Sequence, residues 1–299
     1  MGTHAGTYLL GVDGGGTRCR FALADSSGRV IARHEAGAAN IATDFEAAAA
    51  GISAGLRALW AGAGMRADGF GSAVCYLGLA GANLDGVGER LKARLPFRIC
   101  GVGDDRLTTM VGALGGADGG LASVGTGSFL CRQADGVLRS LGGWGFVAGD
   151  QASGAWLGQQ ALRCAVLAHD GLAPEGPLAR ALFGRLGGIQ GLASFSLGAK
   201  PHEFAALAPE ILAAADAGDA AAVGLLRDGA DYICRGLAVL GHRPGERLCL
   251  LGGLGEPYRR WLPEAMATGL VAPGGSALDG ALTLAGRLAK VPVVNGGRP

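Results

Sequence analysis

The feature that most constrains the fold of this chain is a glycine-rich turn that follows an apolar run three times. The turns are Gly14-Gly-Gly-Thr17, Gly125-Thr-Gly-Ser128 and Gly252-Gly-Leu-Gly255. Glycine costs backbone entropy, so its clustering in an ordered segment needs a reason. Successive N–H groups in such a turn form a concave anion site that no side chain blocks. One turn alone would be an ordinary hairpin, but three favour a phosphate site.

The first two turns open two halves of the chain that share one plan. Strands are predicted at residues 7–12, 18–24 and 29–35. Thr43-Asp-Phe-Glu46 has capping-box spacing and opens a helix, and alternating strands and helices follow up to a helix at 105–114. From residue 119 a strand, glycine turn and strand recur, with a hairpin signal at Asp135-Gly136. This duplication predicts an α/β protein of two domains with mixed sheets.

Composition excludes several classes of function. The 299 residues are 49% hydrophobic and 17% charged with a net charge of +1, so no basic field favours nucleic acid or an anionic membrane. The seven cysteines form no C-x-x-C pair, which indicates reduced thiols rather than a disulfide framework or a metal cluster. Neither a signal-peptide pattern nor a bilayer-length apolar run is recognisable. We therefore expect a cytoplasmic protein.

The phosphate site belongs to neither of the two commonest motif classes. The chain has three lysines, at positions 92, 200 and 290, and none follows a glycine, so a Walker A loop is excluded. No G-x-G-x-x-G opens a helix after a strand, which removes the dinucleotide fingerprint. The remaining arrangement is a cradle of two opposed hairpins, one from each domain, that closes around a nucleotide.

Four segments carry a family resemblance: GVDGGGTRCRFAL, VGDD at 102–105, SVGTGS and GGWGFVAGDQASGAWLG. The chain resembles the BadF/BadG/BcrA/BcrD-type sugar kinases, and within them the N-acetylglucosamine kinases of the actin-like ATPase superfamily, which also holds hexokinase. The resemblance implies two RNase H-like domains of βββαβαβα type, with ATP, Mg²⁺ and a sugar in the cleft between them. Expected boundaries are 1–115 and 116–280, with a last helix at about 281–295 packing back on the first domain.

The resemblance suggests a catalytic and a metal-binding carboxylate. Asp105 matches the family's catalytic aspartate, which would accept the proton of the attacking sugar hydroxyl, while Asp104 would be a helix cap or a supporting partner. Asp13 ends the first strand beside a glycine turn. A carboxylate next to phosphate implies an intervening cation, so Mg²⁺ is expected there, although a turn aspartate that bonds its own backbone is the alternative.

Sugar-binding and phosphate-binding residues follow from the same match. The sugar residues are Asn40, Gly143, Trp144 and Asp150, although Asn40 could be only a turn former and Trp144 only core. The nucleotide residues are Gly14, Gly15, Gly16, Thr17, Gly125, Thr126, Gly127, Ser128, Gly252 and Gly253. Thr126 could serve either phosphate or sugar. No basic clamp on the phosphates is recognisable, since Arg259-Arg260 reads as a solvated helix face.

The resemblance implies an ATP-dependent kinase that phosphorylates the 6-hydroxyl of N-acetylglucosamine or glucosamine. The family usually reads Gly-Asp-Glu-Gly-Ser where this chain has Gly149-Asp-Gln-Ala-Ser153, which puts the substrate in question more than the reaction. One alternative is an ATPase activator of radical enzymes, but the cysteine pattern for its iron–sulfur cluster is missing. Another is a non-catalytic sensor, which would need neither Asp13 nor Asp105. The oligomeric state is open, with a homodimer among the options.

Overall fold

The computed structural model describes residues 7–16, 18–84 and 86–290 and divides the chain into two compact units. The first unit runs up to Ala117 and resumes at Pro273, whereas the second is the continuous stretch Asp118–Ala272. Each unit has its own sheet and its own hydrophobic core. The mixed α/β architecture predicted from the sequence is confirmed.

The first unit contains a five-stranded mixed sheet. Its strands are β1 (Leu9–Gly14), β2 (Cys19–Ala24), β3 (Val30–Ala36), β4 (Val74–Leu79) and β5 (Ile99–Asp104). They lie in the order β3-β2-β1-β4-β5, with β1, β2 and β3 antiparallel and β1, β4 and β5 parallel. Parallel strands are normally covered by helices on both faces, and β1 is buried along almost its whole length.

Three helices of the first unit follow these strands: α1 (Phe45–Gly62), α2 (Val87–Lys92) and α3 (Asp105–Leu114). α1 buries Ile52 and Leu56 on the sheet. Its cap differs from the prediction, because the Asp44 side chain, rather than that of Thr43, accepts a hydrogen bond from the Ala47 N–H. Aspartate is as good an N-cap as threonine, so the helix begins one residue later than the capping box would place it.

The second unit has a four-stranded sheet of β6 (Gly119–Val124), β7 (Ser128–Ala134), β8 (Val137–Gly142) and β9 (Leu248–Leu251), in the order β8-β7-β6-β9. The predicted hairpin is present, since Asp135 and Gly136 both have positive φ, as a type I′ turn requires. Beyond β9, the described chain forms only an isolated parallel bridge between Leu248 and Leu270. The second unit therefore departs from the five-stranded pattern of the first.

Helices make up most of the second unit: α4 (Gly154–His169), α5 (Pro177–Leu186), α6 (Gly188–Gly198), α7 (Pro201–Ala205), α8 (Ala208–Asp216), α9 (Ala220–Val239), α10 (Gly255–Tyr258) and α11 (Glu264–Ala267). The sequence between 257 and 267 predicts a single helix, but the structure does not form one. A 3₁₀ turn at Arg259–Trp261 and Pro263 interrupt it, because proline supplies no N–H to continue the ladder. None of the helices in the described ranges is long and apolar enough to cross a bilayer.

The last helix, α12 (Ala277–Lys290), belongs to the first unit. Leu278, Leu282 and Ala285 form a small buried cluster with Leu9 of β1 and with neighbouring strand residues. A side chain at Gly11 would crowd Leu282, which shows how closely α12 approaches β1. The first unit is thus completed by residues from the far end of the chain.

Candidate active site

The carboxyl ends of three parallel strands bring two of the predicted carboxylates to one edge of the first sheet. Asp13 of β1 is in register with Gly78 of β4, which is in register with Gly103 of β5. Asp104 and Asp105 come directly after Gly103. Neighbouring strands lie about 4.8 Å apart, so β1 and β5 are separated by roughly 10 Å. Gly78 and Gly103 have no side chains, and this keeps the edge of the sheet open.

Gly78 also lets α3 lie close to the sheet. A Cβ at Gly78 would overlap the side chain of Thr108, and a Cβ at Gly103 would crowd the hydroxyl of Tyr76. Thr108 is fully buried, and its hydroxyl donates to the Asp105 carbonyl at 2.9 Å. The lack of side chains at Gly78 and Gly103 therefore allows the first turn of α3, and with it Asp105, to lie against the strand ends.

Asp105 is a carboxyl group with an unusually high proton affinity. Its pKa is raised to about 7, first by burial, then by its hydrogen bond with Asp104 and by the negative charges of Asp104 and Asp13, against the opposing charge of Arg106. Asp104 caps α3 by accepting from the Arg106 N–H at 2.8 Å, which confirms the capping role considered for it. A carboxyl group that titrates near neutrality can hold or release a proton under ordinary conditions.

Asp13 forms an ion pair with Arg20, its cross-strand partner in the β1–β2 hairpin. The Asp13 side chain is 12% exposed and that of Arg20 is 41% exposed. Sequence reasoning missed Arg20 and found no basic residue for the phosphates. The available signal was the hairpin register, which pairs Asp13 with Arg20 across the two strands. No group of three or more histidine, cysteine, aspartate or glutamate side chains in the described ranges could enclose a metal.

The first glycine turn is held by its neighbours through its carbonyl groups. Gly14 accepts from the Ala80 N–H at 2.8 Å, and Gly15 accepts from the Ala39 N–H at 3.0 Å. Asn40 follows directly, and its side-chain oxygen accepts from the Ala42 N–H at 2.9 Å, as a turn-forming asparagine does. Asn40 therefore lies beside this turn with its oxygen engaged. The structure does not describe Thr17.

The second glycine turn is held by the start of α4. Gly154 donates to the Gly125 carbonyl at 2.8 Å, and Ala155 donates to the Thr126 carbonyl at 3.2 Å. Within the described ranges, the N–H groups of Thr126 and Gly127 have no hydrogen-bond partner. The positive end of the α4 dipole lies against the same turn. Free N–H groups beside a helix N-terminus are an anion-binding arrangement.

The segment 143–153 carries the predicted sugar residues. Asp150 is 8% exposed, and its carboxylate accepts from the Ser128 N–H at 3.3 Å. Burial raises the pKa of Asp150, and the Ser128 N–H opposes that rise. Gly143 donates to the Ser128 carbonyl at 3.0 Å, but Trp144 is 72% exposed, so the interpretation of Trp144 as a core residue is wrong.

The third glycine turn lies beside the second. The Leu254 N–H donates to the Val124 carbonyl at 3.0 Å, and a Cβ on Gly252 would overlap that carbonyl group. Gly252 has a φ of +81°, which suits glycine. A cavity of about 510 Å³ opens between the two turns and the start of α8, with Pro209 and Leu212 in its wall. Sequence reasoning missed residues 205–212, because an alanine-rich stretch with one proline carries no motif.

The predicted residues thus fall into two groups. Asp13, Asn40, Asp105 and the first glycine turn lie in the first unit. The second and third turns, Gly143, Trp144 and Asp150 lie in the second. Each group combines backbone N–H groups or glycine turns with at least one buried or half-buried carboxylate.

Strand-end carboxylates in the first unit, and glycine turns beside a helix N-terminus in the second, are features of α/β proteins that bind phosphate groups. The chain belongs to the BadF/BadG/BcrA/BcrD ATPase family, whose model matches residues 10–266. The family resemblance read from the four sequence segments is confirmed.

Individual relatives agree with this assignment. The chain is 30% identical over 282 residues to the glucosamine kinase GspK of Vibrio cholerae, covering 94% of this chain and 96% of the relative. A solved structure from Chromobacterium violaceum, provisionally named an N-acetylglucosamine kinase, is 36% identical, with a TM-score of 0.83 and coverage of 93% and 99%. A glucokinase of the ROK family from Streptomyces griseus, 21% identical with a TM-score of 0.52 and coverage of 93% and 98%, shares the fold.

Proposed function

We propose that this protein is an ATP-dependent amino-sugar kinase that phosphorylates the 6-hydroxyl of glucosamine or N-acetylglucosamine. The observation that carries the proposal is Asp105, a half-buried carboxyl group whose pKa is raised to about 7 and which follows the carboxyl end of a parallel strand of the first sheet. The names of the Vibrio cholerae and Chromobacterium violaceum relatives support the same class of substrate.

In this proposal Asp105 orients the sugar hydroxyl and accepts its proton as the hydroxyl attacks the γ-phosphorus. Phosphoryl transfer passes through a loose transition state, so positioning and charge stabilisation matter more than strong base catalysis. Asp104 and the buried Thr108 hold the first turn of α3 in place. Asp105 therefore acts from a fixed position.

The phosphate chain of ATP would contact the glycine turns. The N–H groups of Thr126 and Gly127 offer donors for phosphate oxygens, and the positive end of the α4 dipole favours a negative charge beside them. The cavity of about 510 Å³ between the second and third turns would take the nucleoside, because its apolar wall at Pro209 and Leu212 suits a base.

Mg²⁺ is the expected cation, and the residues present fit it. Mg²⁺ is usually bound by one or two carboxylates together with substrate phosphates and water, so Asp13 alone is a sufficient protein ligand. Only one Asp13 oxygen is engaged with Arg20. When bound, the ion would neutralise charge on the transferring phosphoryl group. Arg20, half-exposed beside the first turn, would supply a second positive charge.

The sugar would be held by Asn40, Asp150 and the exposed Trp144. Since the Asn40 oxygen accepts from Ala42, its NH₂ group is the part left to donate to a hydroxyl. The Asp150 carboxylate can accept from hydroxyl groups, and Trp144 offers an apolar face.

The proposal is tested by ADP release measured with a coupled assay over glucosamine, N-acetylglucosamine, glucose and N-acetylmannosamine. We expect strong dependence on an amino sugar and a product phosphorylated at the 6-position, which ³¹P–¹H NMR identifies. ADP release that is equally fast without sugar would contradict the proposal and favour an ATPase activator.

A further inference from the structure

Tyr258, the last residue of α10, makes a buried hydrogen bond that spans 106 positions of sequence. Its side chain is fully buried, and its hydroxyl donates to the Ala152 carbonyl at 2.9 Å. Burial raises the pKa of Tyr258, so the hydroxyl keeps its proton and remains a donor. Gly229 of α9 makes room for it, because a Cβ there would overlap the hydroxyl. The buried position of this hydroxyl therefore depends on glycine at 229.

The acceptor lies in a strained segment. Ala152 has a φ of +69° and Asp150 a φ of +59°, which places both in the left-handed region. That region is unfavourable for any residue with a Cβ, and it persists only where surrounding contacts impose it. Ala152 is fully buried, so its carbonyl also needs a partner. Tyr258 supplies that partner.

The same segment is fixed at its other end by the second glycine turn. The Ser128 N–H donates to the Asp150 carboxylate, and the Ser128 hydroxyl donates to the Gln151 carbonyl at 2.6 Å. Ser128 and Tyr258 therefore hold the three residues 150–152 from two sides.

Tyr258 is also hydrogen-bonded to a residue in the wall of the candidate nucleotide cavity. Its N–H donates to the Leu254 carbonyl at 3.0 Å, and Leu254 both lines the cavity and donates to Val124 at the end of β6. A single short helix thus connects the third glycine turn to the segment that carries Asp150.

We propose that Tyr258 is a positioning residue that holds the strained segment 150–152, and through it Asp150, in the arrangement that binds the sugar. The hydrogen bond compensates for the presence of alanine at a position whose backbone favours glycine. This inference rests on the proposed function for the role of Asp150 in sugar binding, whereas the link between Tyr258 and Ala152 can be measured without substrate.

The test is a double-mutant cycle of Tyr258→Phe and Ala152→Gly in the full chain. We expect Tyr258→Phe to raise the KM for the amino sugar about tenfold while the KM for ATP stays within about twofold. Glycine adopts positive φ without strain, so Ala152→Gly in the same chain should return the sugar KM to within about threefold of the wild-type value. A merely structural tyrosine would not give this rescue.

Urea unfolding of the four proteins separates this inference from the proposed function. We expect the loss in the unfolding midpoint caused by Tyr258→Phe to be smaller when residue 152 is glycine, whatever the substrate is. Tyr8→Phe, which removes a hydroxyl from a ring packed edge-on against Trp60 in the first unit, is the matched control and should leave the sugar KM unchanged. An unchanged sugar KM in Tyr258→Phe, or equal losses in both backgrounds, would overturn the inference. Absence of sugar-dependent ADP release in the wild-type protein would instead count against the proposed function.

Discussion

At the scale of single residues, the properties of Asp105 come from its immediate neighbours. Burial and the adjacent Asp104 raise its pKa, and the charge of Asp13 from the next-but-one strand adds to the effect. Glycine at 78 and 103 lets α3 and Asp105 approach the strand ends. The site therefore depends on the lack of a side chain at Gly78 and Gly103 as much as on the neighbouring carboxylates.

Asp105→Asn should abolish most turnover while retaining binding. The amide keeps the size of the side chain but cannot accept the proton, and loss of a general base typically costs about 10²–10⁴-fold in rate. Steady-state ADP release gives kcat, and calorimetric titration gives the affinities for sugar and ATP. Turnover within a few-fold of the wild-type rate would remove Asp105 from the role of base.

The raised pKa of Asp105 also predicts how stability depends on pH. The folded state binds the proton more tightly than the unfolded chain, whose carboxyl groups titrate near 3.8. Folding stability contributed by this group is therefore complete below about pH 4 and is lost as pH rises through about 7. We expect the free energy of unfolding of Asp105→Asn, relative to the wild type, to increase between pH 4.5 and pH 8 in urea titrations. A difference that stays constant over this range would contradict the shift.

At the scale of elements, α3 and α12 pack closely because each has a glycine at the contact. A Cβ on Gly112 of α3 would overlap the Ser276 carbonyl, and a Cβ on Gly280 of α12 would overlap the Thr108 carbonyl. Both obstacles are backbone groups, which cannot move aside as a flexible side chain would. The position of α3, which begins at Asp105, is thus fixed partly by its packing against α12.

Gly112→Ala should lower the free energy of unfolding by about 1–3 kcal/mol, since a methyl group inserted into a packed contact forces the helices apart. The matched control is Gly51→Ala on the exposed face of α1, where a Cβ would meet nothing within 4 Å. Alanine is the better helix former, so the control should be neutral or stabilising by up to about 1 kcal/mol. Equal effects of the two changes in urea titrations would show that the packing is looser than described.

The sequence predicted the secondary-structure elements better than it predicted the side-chain contacts between them. The helix Asp105–Leu114 and the Asp135–Gly136 hairpin follow from local signals and were found where expected. The bond from Tyr258 to Ala152 was not foreseen, because it depends on tertiary packing, whereas the pair Asp13–Arg20 was missed although the register of the predicted hairpin indicates it. The three glycine turns were recognisable only as a set, since each alone is typical of a hairpin. The chemical roles given to these residues stay predictions.

At the scale of the whole molecule, the chain enters the second unit once and returns to finish the first. The second unit is continuous from Asp118 to Ala272, whereas the first needs α12 to cover β1 and β4. Leu282 is separated from Gly11 by most of the chain but packs against it. The first unit can therefore reach its final packing only after the second has been synthesised.

This arrangement predicts that damage to α12 loosens the first unit selectively. Leu282→Gln places an amide in an apolar cluster and should cost the first unit at least about 2 kcal/mol. Thr283→Gln, at the neighbouring exposed position of the same helix, is the control and should change little.

Hydrogen exchange followed by mass spectrometry should show faster exchange for Leu282→Gln in peptides that contain β1, β4 and α3. Peptides from α4 and α9 of the second unit should exchange at the wild-type rate, because their core contains no residue of α12. An equal acceleration in both sets of peptides would mean that the two units unfold as one, and the separate cores would then not define separate cooperative units.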